Sequence, residues 1–252
     1  MASRLARPAR IAIAGEANTG KSMLANRLAQ NDLLPASVVQ STRVAKLLSY
    51  RPAPTVRAHW SDGRSSELDD HQSLARSDAS PPLYVEVGLP LPALRNFELI
   101  DMPAFGTTEM QSLLGVMGTL KPHVTIFCTS ATQAWKESER AAWQSVPSTH
   151  RKIGVLAVTY VDLLDVNEIA SLQVRVLDAT AGLFDKVVYL GADGDRNAPT
   201  NGMLQPILNT IEVADRRRAR QSRDSARRMV SRTLRSLNRD AGAGMETATR
   251  FA

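Results

Sequence analysis

Residues 11–22, IAIAGEANTGKS, constrain the fold of this 252-residue chain more than any other stretch. Residues 10–14 are a short apolar run of the kind that forms a central parallel strand, and they feed straight into a glycine. Gly15-Glu16-Ala17-Asn18-Thr19-Gly20-Lys21-Ser22 then fits the pattern G-x-x-x-x-G-K-[ST]. Beyond it, KSMLANRLAQN places Met23, Leu24 and Leu28 on one helical face. A loop of this type needs glycines because its backbone must curl until successive N–H groups point inward at phosphate oxygens. The helix that follows adds the positive end of its dipole. In such a cradle Lys21 spans the β- and γ-phosphates and Ser22 ligates Mg²⁺, with Gly15, Asn18, Thr19 and Gly20 closing around the nucleotide.

The rest of the chain reads as further strands alternating with helical stretches. TVRAHW (55–60) ends in the turn Asp62-Gly63, and LYVEVGL (83–89) alternates like an exposed strand with FELID (97–101) as its neighbour. Residues 63–80 are polar and read as a loop or weak helix. HVTIFCT (123–129), IGVLAVT (153–159) and KVVYLGA (186–192) are buried-strand runs, with the helix-like KESERAAWQSV after the first. From Pro206 the pattern is helical to about Arg239. This order predicts an α/β fold: a mostly parallel sheet flanked by helices, with a basic helix at the C-terminal end.

A phosphate loop needs a carboxylate near the metal, and Asp101 closes FELID and opens DMPA. In G proteins an Asp at this point orients a metal-bound water, and the backbone N–H of the fourth residue, here Ala104 in place of the usual Gly, meets the γ-phosphate. Guanine is read in the same class by [NT]-K-x-D after a later strand. Thr159-Tyr160-Val161-Asp162 stands in that place with tyrosine for lysine, so Asp162 is the base-reading candidate and Tyr160 a stacking one. Gly191-Ala192-Asp193 ends the last strand, where the N–H of Ala192 would meet the guanine oxygen. Each also occurs as an ordinary strand-to-loop residue; their order and spacing carry the weight.

Taken together, GEANTGKSMLANRLAQNDLLPASVVQSTRVAKLLSYRPAPTVRAHWSDGR, FELIDMPAFGTTE and VTIFCTSATQAWKESERAAW resemble the bacterial dynamin-like GTPases, and Era-like P-loop GTPases more distantly. The resemblance covers about residues 10–212, between a basic tail (1–9) and an arginine-rich end (213–252). It implies a P-loop GTPase domain using GTP/GDP and Mg²⁺, with Thr42 as the switch threonine that ligates Mg²⁺ beside Ser22. Asn18 stands where potassium-activated relatives hold a monovalent cation, which makes K⁺ a candidate cofactor. Ala17 replaces the glutamine that dynamins carry in this loop, and Phe105 stands where Ras-like proteins carry theirs. Slow intrinsic hydrolysis is therefore expected, completed by a second copy across the nucleotide face or by a larger dynamin-like protein. The alternatives are a nucleotide-binding scaffold without turnover and an RNA- or ribosome-associated GTPase.

The net charge of +6 is unevenly placed. Residues 213–240 hold ten arginines against Asp215, Asp224 and Asp240, a net +7, which leaves −1 for the remainder of the chain. Met229, Val230, Leu234 and Leu237 would form one narrow apolar face, enough to dock but small for deep membrane insertion. An anionic membrane surface, nucleic acid or solvent can each face these arginines, although no aromatic residue is interleaved to stack bases. The start, MASRLARPAR, lacks an apolar core, no apolar run is long enough to span a bilayer, and Cys128 is the single cysteine. The expectation is a cytoplasmic protein, peripheral at the inner membrane face at most, without a full dynamin stalk.

Overall fold

The computed structural model describes residues 8–30, 44–68, 81–106, 110–191, 204–220 and 224. It divides into a compact unit over Pro8–Ala214 and a second unit made of Met1–Arg7 and Asp215–Ala252. In the first unit a nine-stranded sheet runs in the order β4-β3-β5-β2-β6-β1-β7-β8-β9. The strands are β1 (Ala9–Gly15), β2 (Ala45–Tyr50), β3 (Thr55–His59), β4 (Ser65–Glu67), β5 (Tyr84–Leu89), β6 (Phe97–Asp101), β7 (Val124–Ser130), β8 (Gly154–Thr159) and β9 (Lys186–Leu190). From β6 to β9 every pairing is parallel. On the other side β2 runs antiparallel to β6 and parallel to β5, and β3 and β4 extend the sheet as an antiparallel hairpin.

Helices cover both faces. One face packs Ile11, Ile13, Leu99 and Ile126 against α1 (Lys21–Ala29) and against Leu204, Ile207 and Ile211 of α5 (helical over residues 204–220). The opposite face packs Ala12, Ala14, Ile100 and Phe127 against α2 (Met110–Leu120), α3 (Glu137–Ser145) and α4 (Val166–Ala179). Alternation along β1 decides which residue goes to which layer, and both layers are apolar, so the central strands read as unbroken hydrophobic runs. Trp143 of α3 is fully buried and stacks on Phe184 with centroids 4.4 Å apart. Gly154 leaves room beneath it, since a Cβ there would sit 2.8 Å from the indole.

The expected α/β architecture is present, with local corrections. LYVEVGL and FELID are not neighbours, because β2 lies between them, pairing Lys46 with Asp101 and Leu48 with Leu99. AKLLSY hid that strand by carrying a lysine and a serine, yet Ala45 through Ser49 are all buried. Within the polar stretch 63–80, residues 65–67 pair as the exposed edge strand β4. On α1, Leu24 and Leu28 are buried as expected, accompanied by Ala25 and Ala29, while Met23 is only half-buried. The helix expected from Pro206 is present, helical already at Leu204, the first described residue of this segment. Of the expected basic helix, residues 221–223 and 225–239 lie outside the described residues. No helix among the described residues is long and apolar enough to cross a membrane.

Candidate functional site

The loop after β1 has the backbone that its sequence demands. Gly15 sits at φ 144°, where a Cβ would lie 2.4 Å from the Cys128 carbonyl oxygen of β7. Asn18 (φ 59°) and Gly20 (φ 76°) are both left-handed, which turns the chain back on itself before α1 begins with Leu24 N–H donating to the Gly20 carbonyl at 3.0 Å. Inside the curl the buried Thr19 hydroxyl donates to the Glu16 carbonyl at 2.8 Å, and Lys21 Nζ arches back to donate to the same carbonyl. Ala17 and Asn18 stay exposed at the tip.

Burial pushes the Lys21 ammonium below its ordinary pKa, while Cys128, Asp101 and Glu16 pull the other way. A partly buried cation whose hydration is only in part replaced is the group that a phosphate would satisfy. Asp101 lies at the end of β6, in register with Ile13 of β1 and with Lys46 of β2. Burial raises its pKa above the ordinary carboxylate value, and Lys46 first and Lys21 second offset only part of that. The Cys128 thiol, fully buried, is pushed up to about 12 and remains neutral. After Asp101 the chain continues along the loop: Met102 N–H donates to the Ile13 carbonyl at 3.0 Å and Phe105 N–H to the Gly15 carbonyl at 3.2 Å. Ala104 and Phe105 are consequently buried, and Phe105 stacks on Phe127 at 5.6 Å.

The base-reading candidates arrive from β8 and β9. Thr159, expected to touch the cofactor, is fully buried with its hydroxyl 3.1 Å from both the Thr19 and Thr129 carbonyl oxygens. Its hydroxyl braces the loop against β7. Thr159→Val removes the hydroxyl that reaches two buried carbonyls, so a loss of about 1–2 kcal/mol in unfolding free energy is expected. Denaturant melts check it, and the phosphate loop should become protease-sensitive if the brace is the cause. Tyr160 is left-handed (φ 59°) and turns the chain into a short 3₁₀ segment, Val161–Leu163, which presents Asp162 at the surface. Asp162 packs over Gly191, where a Cβ would sit 3.1 Å from its carboxylate oxygen. The structure thus gathers the loop 15–22, Asp101, Ala104, Thr159, Asp162 and Gly191 at the C-terminal edge of the parallel strands, the usual ligand edge of such sheets. Thr42 and Ala192 lie outside the described residues.

A cavity of about 260 Å³ flanks the loop tip, lined by Ala17, Asn18, Ser130, Gln133, Lys136 and Glu139 among others. Its buried wall is Glu139, whose Oε2 accepts from Thr129 Oγ1 and from the Lys136 N–H, both at 2.9 Å. Lys136 Nζ lies 3.4 Å from Glu16 Oε2, which ties this wall to the loop. Two residues escaped the sequence reading. Glu139 sat unnoticed within an ordinary helical pattern, and Lys46 within a strand that was not recognised. The available signal was a basic residue inside the run VAKLLSY, where every neighbour is apolar or small up to Tyr50.

The donor set fits a nucleotide phosphate with Mg²⁺: curled N–H groups, a desolvated lysine, the Ser22 hydroxyl at the helix start and Asp101 as an acceptor. Among the described residues no group of three metal-ligating side chains forms, and Mg²⁺ in phosphate sites needs none, because phosphate and water supply most of its ligands.

This combination of sheet order, loop and carboxylate is the fold of a P-loop GTPase domain. In sequence the chain is similar to a bacterial dynamin-like protein of Nostoc punctiforme, at 28% identity over 149 residues, 52% of this chain and 22% of that protein. It is also similar to the isoniazid-induced protein IniA of Mycobacterium tuberculosis, at 31% identity over 174 residues, 61% of this chain and 26% of that protein. Among solved structures it matches a chain of an oligomerised bacterial dynamin pair, described as sensing and tethering membranes, with a TM-score of 0.61 and 17% identity over 86% of this chain and 37% of that one. No family model matches the chain. The chain thus spans about a quarter of the length of the curated relatives it matches.

Proposed function

We propose that residues 10–212 are a dynamin-like GTPase domain that binds GTP with Mg²⁺, changes conformation with the state of the γ-phosphate, and hydrolyses it slowly when alone. The observation that carries this is the desolvated Lys21 closing a glycine-bounded loop beside Asp101. Gly15 to Gly20 and Lys21 would hold the phosphates, and Ser22 and Thr42 would hold Mg²⁺, whose chemistry there would be to offset negative charge on the phosphates. Asp101 accepts from the metal's water. Asp162 accepts from the guanine edge, with Ala192 facing the guanine oxygen and Tyr160 in place of the customary lysine. Asn18, left-handed and exposed at the loop tip, is suited to bracing a K⁺ against the same phosphates.

Hydrolysis is slow because Ala17 has no polar side chain and Phe105 is turned into the core. Neither can position the attacking water, so a second copy or a larger dynamin-like protein completes the site. The fold likeness to an oligomerised bacterial dynamin pair supports such a partner. The arginines of 213–240 supply attraction to an anionic membrane surface from the cytoplasmic side. The second reading, a scaffold that binds without turnover, is favoured by the buried Ala104 and by Tyr160.

Asp162→Ala tests the base assignment. The variant should lose at least about tenfold of its preference for GTP over ATP while phosphate-driven binding persists. An unchanged preference would remove Asp162 from the site. Phosphate release per molecule that climbs with protein concentration supports the enzyme; no release at any concentration, in K⁺ or Na⁺, supports the scaffold.

A further inference from the structure

Lys46 is a cation inside the sheet, only 3% exposed, in a strand whose other core positions are alanine, leucine and serine. Directly opposite residues of an antiparallel pair share a face with Cβ atoms about 5 Å apart, so Lys46 emerges beside its partner Asp101. Of the two lysines that act on Asp101, Lys46 acts more strongly than the phosphate-loop Lys21. Asp101 is in turn the carboxylate that opposes the effect of burial on Lys46. An apolar side chain here would fill the space without the desolvation cost of a buried ammonium.

We propose that Lys46 is a built-in cation of the nucleotide site: a positioning residue that faces Asp101 across the sheet and supplies part of the positive charge otherwise left to Mg²⁺. This rests on the nucleotide reading given above. Two cations that act on one carboxylate repel each other, so Lys46 and Mg²⁺ are thermodynamically antagonistic. With Lys46 in place, nucleotide affinity depends weakly on Mg²⁺. Without it, the phosphates lose a fixed charge in the metal-free state, and the metal loses a competitor for Asp101. Both changes increase Mg²⁺ dependence.

The test is the ratio of dissociation constants for a fluorescent GTP analogue measured in EDTA and in Mg²⁺, for the wild-type chain and for Lys46→Met. The ratio should rise at least about fivefold in the variant. A smaller rise, no change or a fall overturns the proposal while leaving the nucleotide reading intact. Absence of saturable binding by the wild type overturns both. Lys46→Gln, which keeps a polar end without the charge, should behave as Lys46→Met does, and it takes the place of that variant should the latter not fold. A merely structural lysine would alter melting temperature in both variants and leave the ratio where it was.

Discussion

Lys21→Met should fold and yet bind GTP at least about a hundredfold more weakly than the wild type, because two charge-assisted contacts of about 1.5–3 kcal/mol each disappear together. The reasoning starts from the folded chain without phosphate. Lys21 is already largely desolvated, and among the described residues its ammonium has the Glu16 carbonyl as its hydrogen-bond acceptor and the Asp101 and Glu16 carboxylates as charged neighbours. The desolvation that usually weakens a salt bridge has thus been met during folding, and phosphate oxygens gain the attraction at little further cost. Methionine keeps the stem and removes the charge. Its melting temperature should stay at or above the wild-type value, since a buried cation has been replaced by a thioether. Isothermal titration with GTP and Mg²⁺ checks the first half and a thermal melt the second. Loss of folding together with binding would mean that Lys21 is structural.

Gly15→Ala should be strongly destabilising, at about 3–5 kcal/mol, the sum of backbone strain and overpacking. Gly15 is strained for any L side chain at φ 144°, and the atom its Cβ would meet is the carbonyl oxygen of Cys128 at 2.4 Å. That oxygen belongs to the central strand β7, paired on both sides with β1 and β8, so it cannot retreat. Gly182 provides the control. It also has a positive φ, 73°, but nothing lies within 4 Å of its missing Cβ. Gly182→Ala should therefore cost only the conformational part, about 1 kcal/mol. Urea denaturation of the two variants side by side reads the difference, and equal losses would show that the contact with β7 is not what constrains Gly15.

The central layer of the fold was legible because burial on both faces leaves a plain signature. RIAIA, HVTIFCT and IGVLAVT are unbroken apolar runs, and β1, β7 and β8 formed there within a residue or two. β2 was not legible, since a strand beside a charged site can carry a lysine that pairs across the sheet with a carboxylate, and no periodicity rule foresees that partner. α4 could have been read from Asp165-Val166-Asn167-Glu168, a capping box in which Asp165 accepts from the N–H groups of Asn167 and Glu168 at 2.8 Å. α2 was harder, with Gly115 and Gly118 inside it lowering helix propensity.

At the site, the same distinction separates backbone from side chains. The loop glycines were legible because each type of residue answers a φ requirement, and Gly15 and Gly20 meet it. The bracing role of Thr159 was not legible, because a strand-end threonine looks the same in sequence whether its hydroxyl faces a ligand or two carbonyls of its neighbours. Phe105 was flagged from its place in the chain as unable to handle water, and its burial against Phe127 gives that a physical cause. Asp162 and Gly191 come together from strands separated by α4, a proximity that sequence order suggested and that the register of β8 on β9 produces.

The central claim is that the loop 15–22 and Asp162 together hold a guanine nucleotide. The most direct measurement is saturation binding of a fluorescent GTP analogue to the purified chain in Mg²⁺, followed by competition with unlabelled GTP and ATP. The account predicts saturable binding that GTP displaces and ATP displaces at least about a hundredfold less effectively, as expected of a site built to hydrogen-bond one base edge. Equal displacement by ATP, or no saturable binding, would contradict it.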